Sequence, residues 1–125
     1  MFCAYNANPT AARVGDCTVR AISKALGQTW DETYVGLCVV GMEFCDMPSA
    51  NAVLGAYLKR KGFRRRALPD SCPECYTVSD FVRDHQGGPY VIALQSHVVA
   101  AENGNYYDTW DSGNETAIYY WERMS

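Results

Sequence analysis

Apolar positions in the first half of the chain recur at helical spacing; in the second half they cluster and alternate as strands do. Thr18, Ala21, Ile22, Ala25 and Leu26 share one helical face. Asp16, after Gly15, is a good N-cap for that helix, and Gly27 is a natural stop. Thr29-x-x-Glu32 resembles a capping box and opens a second helix with Trp30, Tyr34, Leu37 and Cys38 on one face. A third helix starts near Ser49, turns Val53, Leu54, Tyr57 and Leu58 inward and closes at Gly62. Residues 63–68 read as a short strand and 69–73 as a loop. Thr77-x-x-Asp80 starts a short fourth helix that carries Val78, Phe81, Val82 and His85.

From Gly87 the texture changes. Residues 90–94 form a compact apolar strand, and 97–102 form another that ends at Asn103-Gly104, a strong hairpin turn. Residues 105–110 return antiparallel, and 117–121 make a last strand rich in Tyr and Trp. The first fourteen residues are polar, contain Pro9 and show no periodicity, so they read as an ordered arm. Helices first and antiparallel strands after is the α+β pattern. At 125 residues the chain makes one domain, 1–125, with a core large enough to need neither metal nor disulfide.

Cys17 falls on the first position of its helix, where backbone N–H groups and the helix dipole favour a thiolate and can donate to an oxyanion. His97, one of two histidines, stands at the start of a hairpin strand, where a general base is held rigidly. With Asn103 and Gly104 as a two-residue loop, opposed positions sum to 207, so 97 faces 110 and 99 faces 108. Asp108 then lies on the face of His97, one diagonal step away. A three-residue loop would reverse this parity and set Asp111 opposite His97 instead.

Cys on an N-terminal helix, then His on a strand, then Asp on the returning strand resembles the order of papain-like cysteine peptidases. His97-Val98-Val99-Ala100-Ala101 is similar to the His-Ala-Val-Ala-Ala strand of that superfamily. Asp108-Thr109-Trp110 resembles its Asn-Ser-Trp segment, with Asp108 at the place of the orienting Asn. Asp16-Cys17 and the Gly-x-Tyr-apolar strand before His97 look closer to bacterial double-glycine leader peptidases. More narrowly, the chain resembles a small group carried by phages and mobile elements of Gram-positive bacteria, which reads Gly-Asp-Cys-x-x-Arg-Ala-Ile and Tyr-Asp-Thr-Trp-Asp-Ser. Here those motifs are residues 15–22 and 107–112. The resemblance implies a papain-like fold with the Cys helix packed on a C-terminal antiparallel sheet. It implies a Cys17–His97–Asp108 triad cleaving a peptide or isopeptide bond of a peptide or protein substrate, with Trp110 walling the His from water. One departure stands out: papain-like enzymes carry an oxyanion-binding Gln five or six residues before the Cys, and those positions are Ala12 and Ala11. Asn8, or Asn6, on the arm is the candidate replacement, beside the Cys17 N–H.

Composition narrows the alternatives. The net charge is −3, yet six of the eleven Lys and Arg residues lie in the stretch Lys59-Arg60-Lys61-Gly62-Phe63-Arg64-Arg65-Arg66. That stretch suits an acidic partner or phosphate; the overall acidity and the single interleaved aromatic argue against nucleic acid. Its plain reading is a helix C-terminus whose cations complement the dipole. No apolar run approaches the ~20 residues of a membrane helix, and the N-terminus has no signal-peptide pattern, which predicts a cytoplasmic chain, in the resembling group the cytoplasm of a bacterial host. Six cysteines in such a chain read as reduced thiols. Cys72-Pro73-Glu74-Cys75 is half of a zinc knuckle that would need His85, Cys38 or Cys45 to complete it; the spacing is incomplete, and His85 on an apolar stripe reads as structural. No cofactor is required. A second function class remains beside the enzyme, a protein that uses the same cleft to bind a host factor or small molecule without turnover, and the missing Gln favours it.

Overall fold

Two apolar cores lie on opposite faces of one sheet. In the computed structural model, which describes residues 1–69 and 73–124, the elements run β1 (Phe2–Ala4), α1 (Cys17–Leu26), α2 (Trp30–Phe44), α3 (Asn51–Arg60), β2 (Phe63–Ala67), α4 (Val78–Asp84), β3 (Tyr90–Ala93), β4 (Val98–Glu102), β5 (Asn105–Asp108) and β6 (Tyr119–Arg123). The architecture is α+β. The six strands are ordered β1-β5-β4-β3-β6-β2.

Strand alternation creates the layers, because successive side chains point to opposite faces. Val91, Ala93, Val98, Ala100 and Trp121 meet α1, α2 and α3 through Ile22, Leu37, Val53, Leu54 and Leu58. Their neighbours Ile92, Val99, Ala101 and Tyr120 meet Val78, Phe81 and Val82 of α4 on the other side. Burial on both faces is why 90–94 reads as an unbroken apolar run. α1 lies across β4 and β5. Its Ala21 and Ala25 share a core with Ala100, and small residues on both sides allow the close approach that brings Cys17 to the sheet.

Several sequence expectations need correction. The sheet is mixed, because β1 adds parallel to β5 with Ala4 beside Asp108. Three residues carry no period, so the strand is defined by its partner and not by its own text. β1 and β2 precede the C-terminal strands, and α4 covers the face away from α1–α3, so helices and strands are not segregated along the chain. The last strand is Tyr119–Arg123, displaced from 117–121, because Ala117 is tied to Tyr76 and Ile118 to Ala93 outside the regular ladder. The inward face of α2 is Thr33, Leu37, Val40 and Gly41; Tyr34 is 45% exposed and stacks on Trp30. The hairpin has the expected register, Glu102 opposite Asn105 and Ala100 opposite Tyr107, around Asn103 and Gly104 at φ 54° and 79°. Positive φ at both turn residues matches the right-handed strand twist.

The basic stretch divides between the last turn of α3 and edge strand β2. Arg60 pairs with Glu43 at 2.6 Å, Arg64 with Glu122 at 2.8 Å, and Arg65 lies 4.0 Å from the Tyr119 ring centre. Acidic and aromatic neighbours within the chain already engage much of it, and charge on an edge strand discourages pairing with other sheets. His85 donates from Nδ1 to Phe81 O (3.0 Å) and stacks on the Phe81 ring at 4.0 Å, a packed position in the aromatic cluster of α4. Cys72 lies outside the described residues, and Cys75 is exposed. No group of three or more His, Cys, Asp or Glu is set to hold a metal among the described residues. None of the described helices is long and apolar enough to cross a membrane.

Candidate active site

Cys17 starts α1 with its helix N-terminus uncapped by any side chain. Asp16 has the right chemistry for a cap, but its carboxylate is engaged elsewhere: Oδ1 accepts from Arg20 Nη1 at 2.8 Å and Oδ2 from Trp30 Nε1 at 2.9 Å. The expected role of Asp16 as N-cap is therefore corrected; it caps by backbone position only. α3, whose N-terminal residue Asn51 also lines the Cys17 cleft, has no side-chain cap either. By contrast α2 and α4 are each closed by a complete capping box. The partly positive ends of two helices are thus left open toward one recess.

His97 precedes β4, and its Nε2 lies 2.6 Å from Asp108 Oδ2. Nδ1 is the nitrogen left for the thiol. Asp108 is wholly buried and fully bonded. Oδ1 accepts from Arg20 Nη2 at 3.0 Å and from the Thr109 N–H at 2.8 Å; Oδ2 accepts from Ser112 Oγ at 2.8 Å as well as facing His97. The chain just after β1 holds the same residue from behind, since the Tyr5 N–H donates to Asp108 O at 2.8 Å. Trp110 sits against the imidazole with ring centres 5.0 Å apart.

The charges are arranged to favour an ion pair. Burial pushes the Cys17 thiol up, but the hydrogen bond with His97, the Val98 N–H, and the positive charges of His97 and Arg20 outweigh it, so the thiol titrates below its ordinary value. For His97, burial pulls downward; the Asp108 hydrogen bond and charge, together with Cys17, overcome it and carry the imidazole up to about 9. Asp108 is raised by burial and lowered more by His97, Ser112 and the Thr109 N–H, leaving it an acid below the usual carboxylate range. A thiolate beside an imidazolium is the protonation state these shifts favour.

The structure thus brings Cys17, His97 and Asp108 together. It places Asp111 elsewhere: that carboxylate accepts from the Tyr106 hydroxyl and from the Gly113 N–H and does not meet His97. Asn8 is displaced as well. The arm bonds to itself, with Asn8 Oδ1 accepting from the Thr10 N–H and hydroxyl (both 2.9 Å) and Asn6 Nδ2 donating to Ala11 O and Ala12 O. Beside Cys17 and His97, the polar side chains of the cleft, about 340 Å³, come from Thr18, Ser49, Asn51, Gln95 and Ser96, and Asn8 is not among its lining residues. Sequence reasoning missed Ser112, Trp30 and the double engagement of Arg20. Ser112 and Arg20 do lie inside the two quoted motifs, but only the fold shows that these motifs meet on one carboxylate.

The loop after Asp108 is built for this contact. A Cβ on Gly113 would overlap the Tyr106 hydroxyl and Ser79 Oγ. Gly113→Ala is expected to cost about 1–3 kcal/mol, the usual range for forcing atoms into a filled space. Urea denaturation measures it, and an unchanged midpoint would show that the loop repacks freely.

Compared with protein-family models, with curated proteins and with solved structures, the chain shows no match.

Proposed function

We propose that the protein is a thiol hydrolase of papain-like type that cleaves a peptide or isopeptide bond through an acyl-enzyme. The observation that carries this reading is the unbroken series from a helix-end thiol to an imidazole to a buried, fully bonded carboxylate. The Cys17 thiolate attacks the carbonyl carbon; a C–S bond forms and the carbonyl electron pair moves to oxygen. The Cys17 N–H at the open end of α1 donates to that oxyanion. The His97 imidazolium gives its proton to the departing nitrogen as the C–N bond breaks, leaving a thioester. Neutral His97 then takes a proton from water, the resulting hydroxide equivalent attacks the thioester, and the C–S bond breaks to restore thiolate and imidazolium. Asp108 keeps Nε2 protonated and Nδ1 directed at sulfur throughout.

A second oxyanion donor in place of the absent Gln would come from the cleft wall, where Asn51 and Gln95 carry carboxamides. Both are exposed, so neither is held as rigidly as the rest of the site. That exposure is what favours the second reading, a protein that binds at this cleft without turnover.

Iodoacetamide labelling mapped by mass spectrometry from pH 5 to 9 separates an activated thiol from an ordinary one. Cys17 is expected to label ahead of Cys45 and Cys75 well below the ~8.5 of a free thiol, and to lose that lead in His97→Ala. Equal rates at all three cysteines would remove the hydrolase reading.

A further inference from the structure

The sheet has two edges. One is β1, only three residues long; the other is β2, which has no strand beyond it among the described residues. Two hydrogen bonds that bracket β2 fix which of its backbone groups face outward. The Met124 N–H donates to Gly62 O at 2.8 Å and the Leu68 N–H to Ile118 O at 3.3 Å, and both pairs continue the register that sets Phe63 opposite Arg123. In an antiparallel ladder, bonded pairs alternate with non-bonded ones. Arg64 and Arg66 therefore bond inward to β6, while Phe63, Arg65 and Ala67 turn their N–H and C=O away from it. Phe63 is fully buried, but Arg65 and Ala67 are exposed. Those two residues leave two N–H and two C=O groups open at the edge, and an added peptide strand would satisfy them.

The side chains say which strand fits. Successive residues point to opposite faces, so Arg64 and Arg66 flank an added strand on one face and Arg65 on the other. Glu122 is the carboxylate paired with them, and it is shared, at 2.8 Å from Arg64 and 3.6 Å from Arg66. The two arginine side chains remain 53% and 49% exposed. Arg65 lies over the Tyr119 ring instead of a carboxylate. Three cations against one anion leave this edge positive in a chain of net charge −3. A second copy of β2 is repelled, because like charges set directly opposite destabilise a strand pair. Carboxylates reverse the sign of the same interaction. We propose that β2 is a docking edge for an extended acidic segment of another protein, whose backbone bonds Arg65 and Ala67 and whose carboxylates, at three successive positions, face Arg64, Arg65 and Arg66. The proposal does not depend on the hydrolase reading. β2 lies three strand spacings from β4, roughly 14 Å, so an occupied edge leaves the Cys17 cleft open.

The test titrates the isotope-labelled whole protein with the blocked peptide Thr-Val-Glu-Glu-Glu-Val-Thr and follows the backbone amides by NMR. The Arg65 and Ala67 amides are expected to shift most and to gain protection from hydrogen exchange. Methylating alternate backbone nitrogens of the peptide separates strand addition from loose attraction. One alternate set is expected to weaken binding by about 10-fold or more, as loss of such bonds gives, and the other set to change it little. Ala67→Pro removes one outward N–H, keeps every charge and suits an edge position; it is expected to weaken the peptide by a similar factor at an unchanged melting temperature. Arg64→Gln, Arg65→Gln and Arg66→Gln are each expected to weaken it by about 1.4- to 5-fold, the range for one opposed charge pair. Equal binding of both methylated peptides, or no shift at Arg65 and Ala67, overturns the proposal. An oligothymidylate of the same charge that displaces the peptide and binds at least as tightly also overturns it, and assigns the edge to polyanions at large. Should Ala67→Pro lower the melting temperature, the two methylated peptides on the wild-type protein still decide.

Discussion

Arg20→Met is expected to destabilise the protein by about 3–5 kcal/mol, the cost of leaving buried charges without their partner, and to remove the enhanced reactivity of Cys17. Arg20 is 4% exposed and its guanidinium bridges Asp16 and Asp108. Without it, two buried carboxylates face one another across the gap. Their repulsion and their desolvation both favour protonation, and a protonated Asp108 no longer holds a proton on His97. Arg20→Lys is expected to rescue only part of the effect, because an ammonium is a point charge and cannot serve both carboxylates with the planar fork. Adding Asp16→Asn to Arg20→Met removes one of the opposed charges and is expected to recover stability without recovering reactivity. Denaturation midpoints and Cys17 alkylation rates on the four proteins check this. A fully stable, fully reactive Arg20→Met would show that the bridge is incidental. If only stability fell, the bridge would be structural and without influence on the thiol.

Cys17→Ala is expected to abolish turnover while changing the melting temperature little, because the thiol is only partly buried at the edge of the core and Ala keeps its Cβ there. His97→Ala is expected to lower the rate by about 10²–10⁴, the usual contribution of a positioned acid and base. The pH dependence follows from the two shifts. The reactive form holds a thiolate and an imidazolium, so activity rises as the lowered thiol ionises and falls as His97 loses its proton at about 9. The same shift makes a statement about stability. The folded imidazole titrates above its unfolded value of about 6.5, so its contribution is complete below that pH and is lost as pH rises through about 9. The stability gap between wild type and His97→Ala should therefore narrow across that interval. An alkaline limb of activity centred near 6.5 would mean that Asp108 does not support the imidazole.

What the sequence made legible was local. The capping box at Thr29, the helix start at Thr77, the stop at Gly27 and the inward face of α3 follow from rules that span four or five residues, and the structure contains all of them. The hairpin register follows from two turn residues and carries Asp108 to His97 by counting alone. Contacts that bridge the chain were hidden. Nothing in Phe2-Cys3-Ala4 announces a strand, because its partner β5 lies about a hundred residues away in the sequence. Asp16 looks like a cap in its own neighbourhood, and only the arrival of Trp30 and Arg20 diverts it. Asn8 looked free to reach the cleft, but the arm satisfies its own polar groups first.

The site draws on residues 16–20 and on residues 97–112, with most of the chain between them. Closing so long a loop is slow and comes after local helices have formed. Before that closure the helix that carries Cys17 has no imidazole, no Val98 N–H and no Asp108 beside it. On the proposed hydrolase reading, the thiol gains its activating imidazole only when the hairpin docks under α1. A fragment that lacks residues 97–112 is accordingly expected to carry a Cys17 that alkylates no faster than the exposed Cys45.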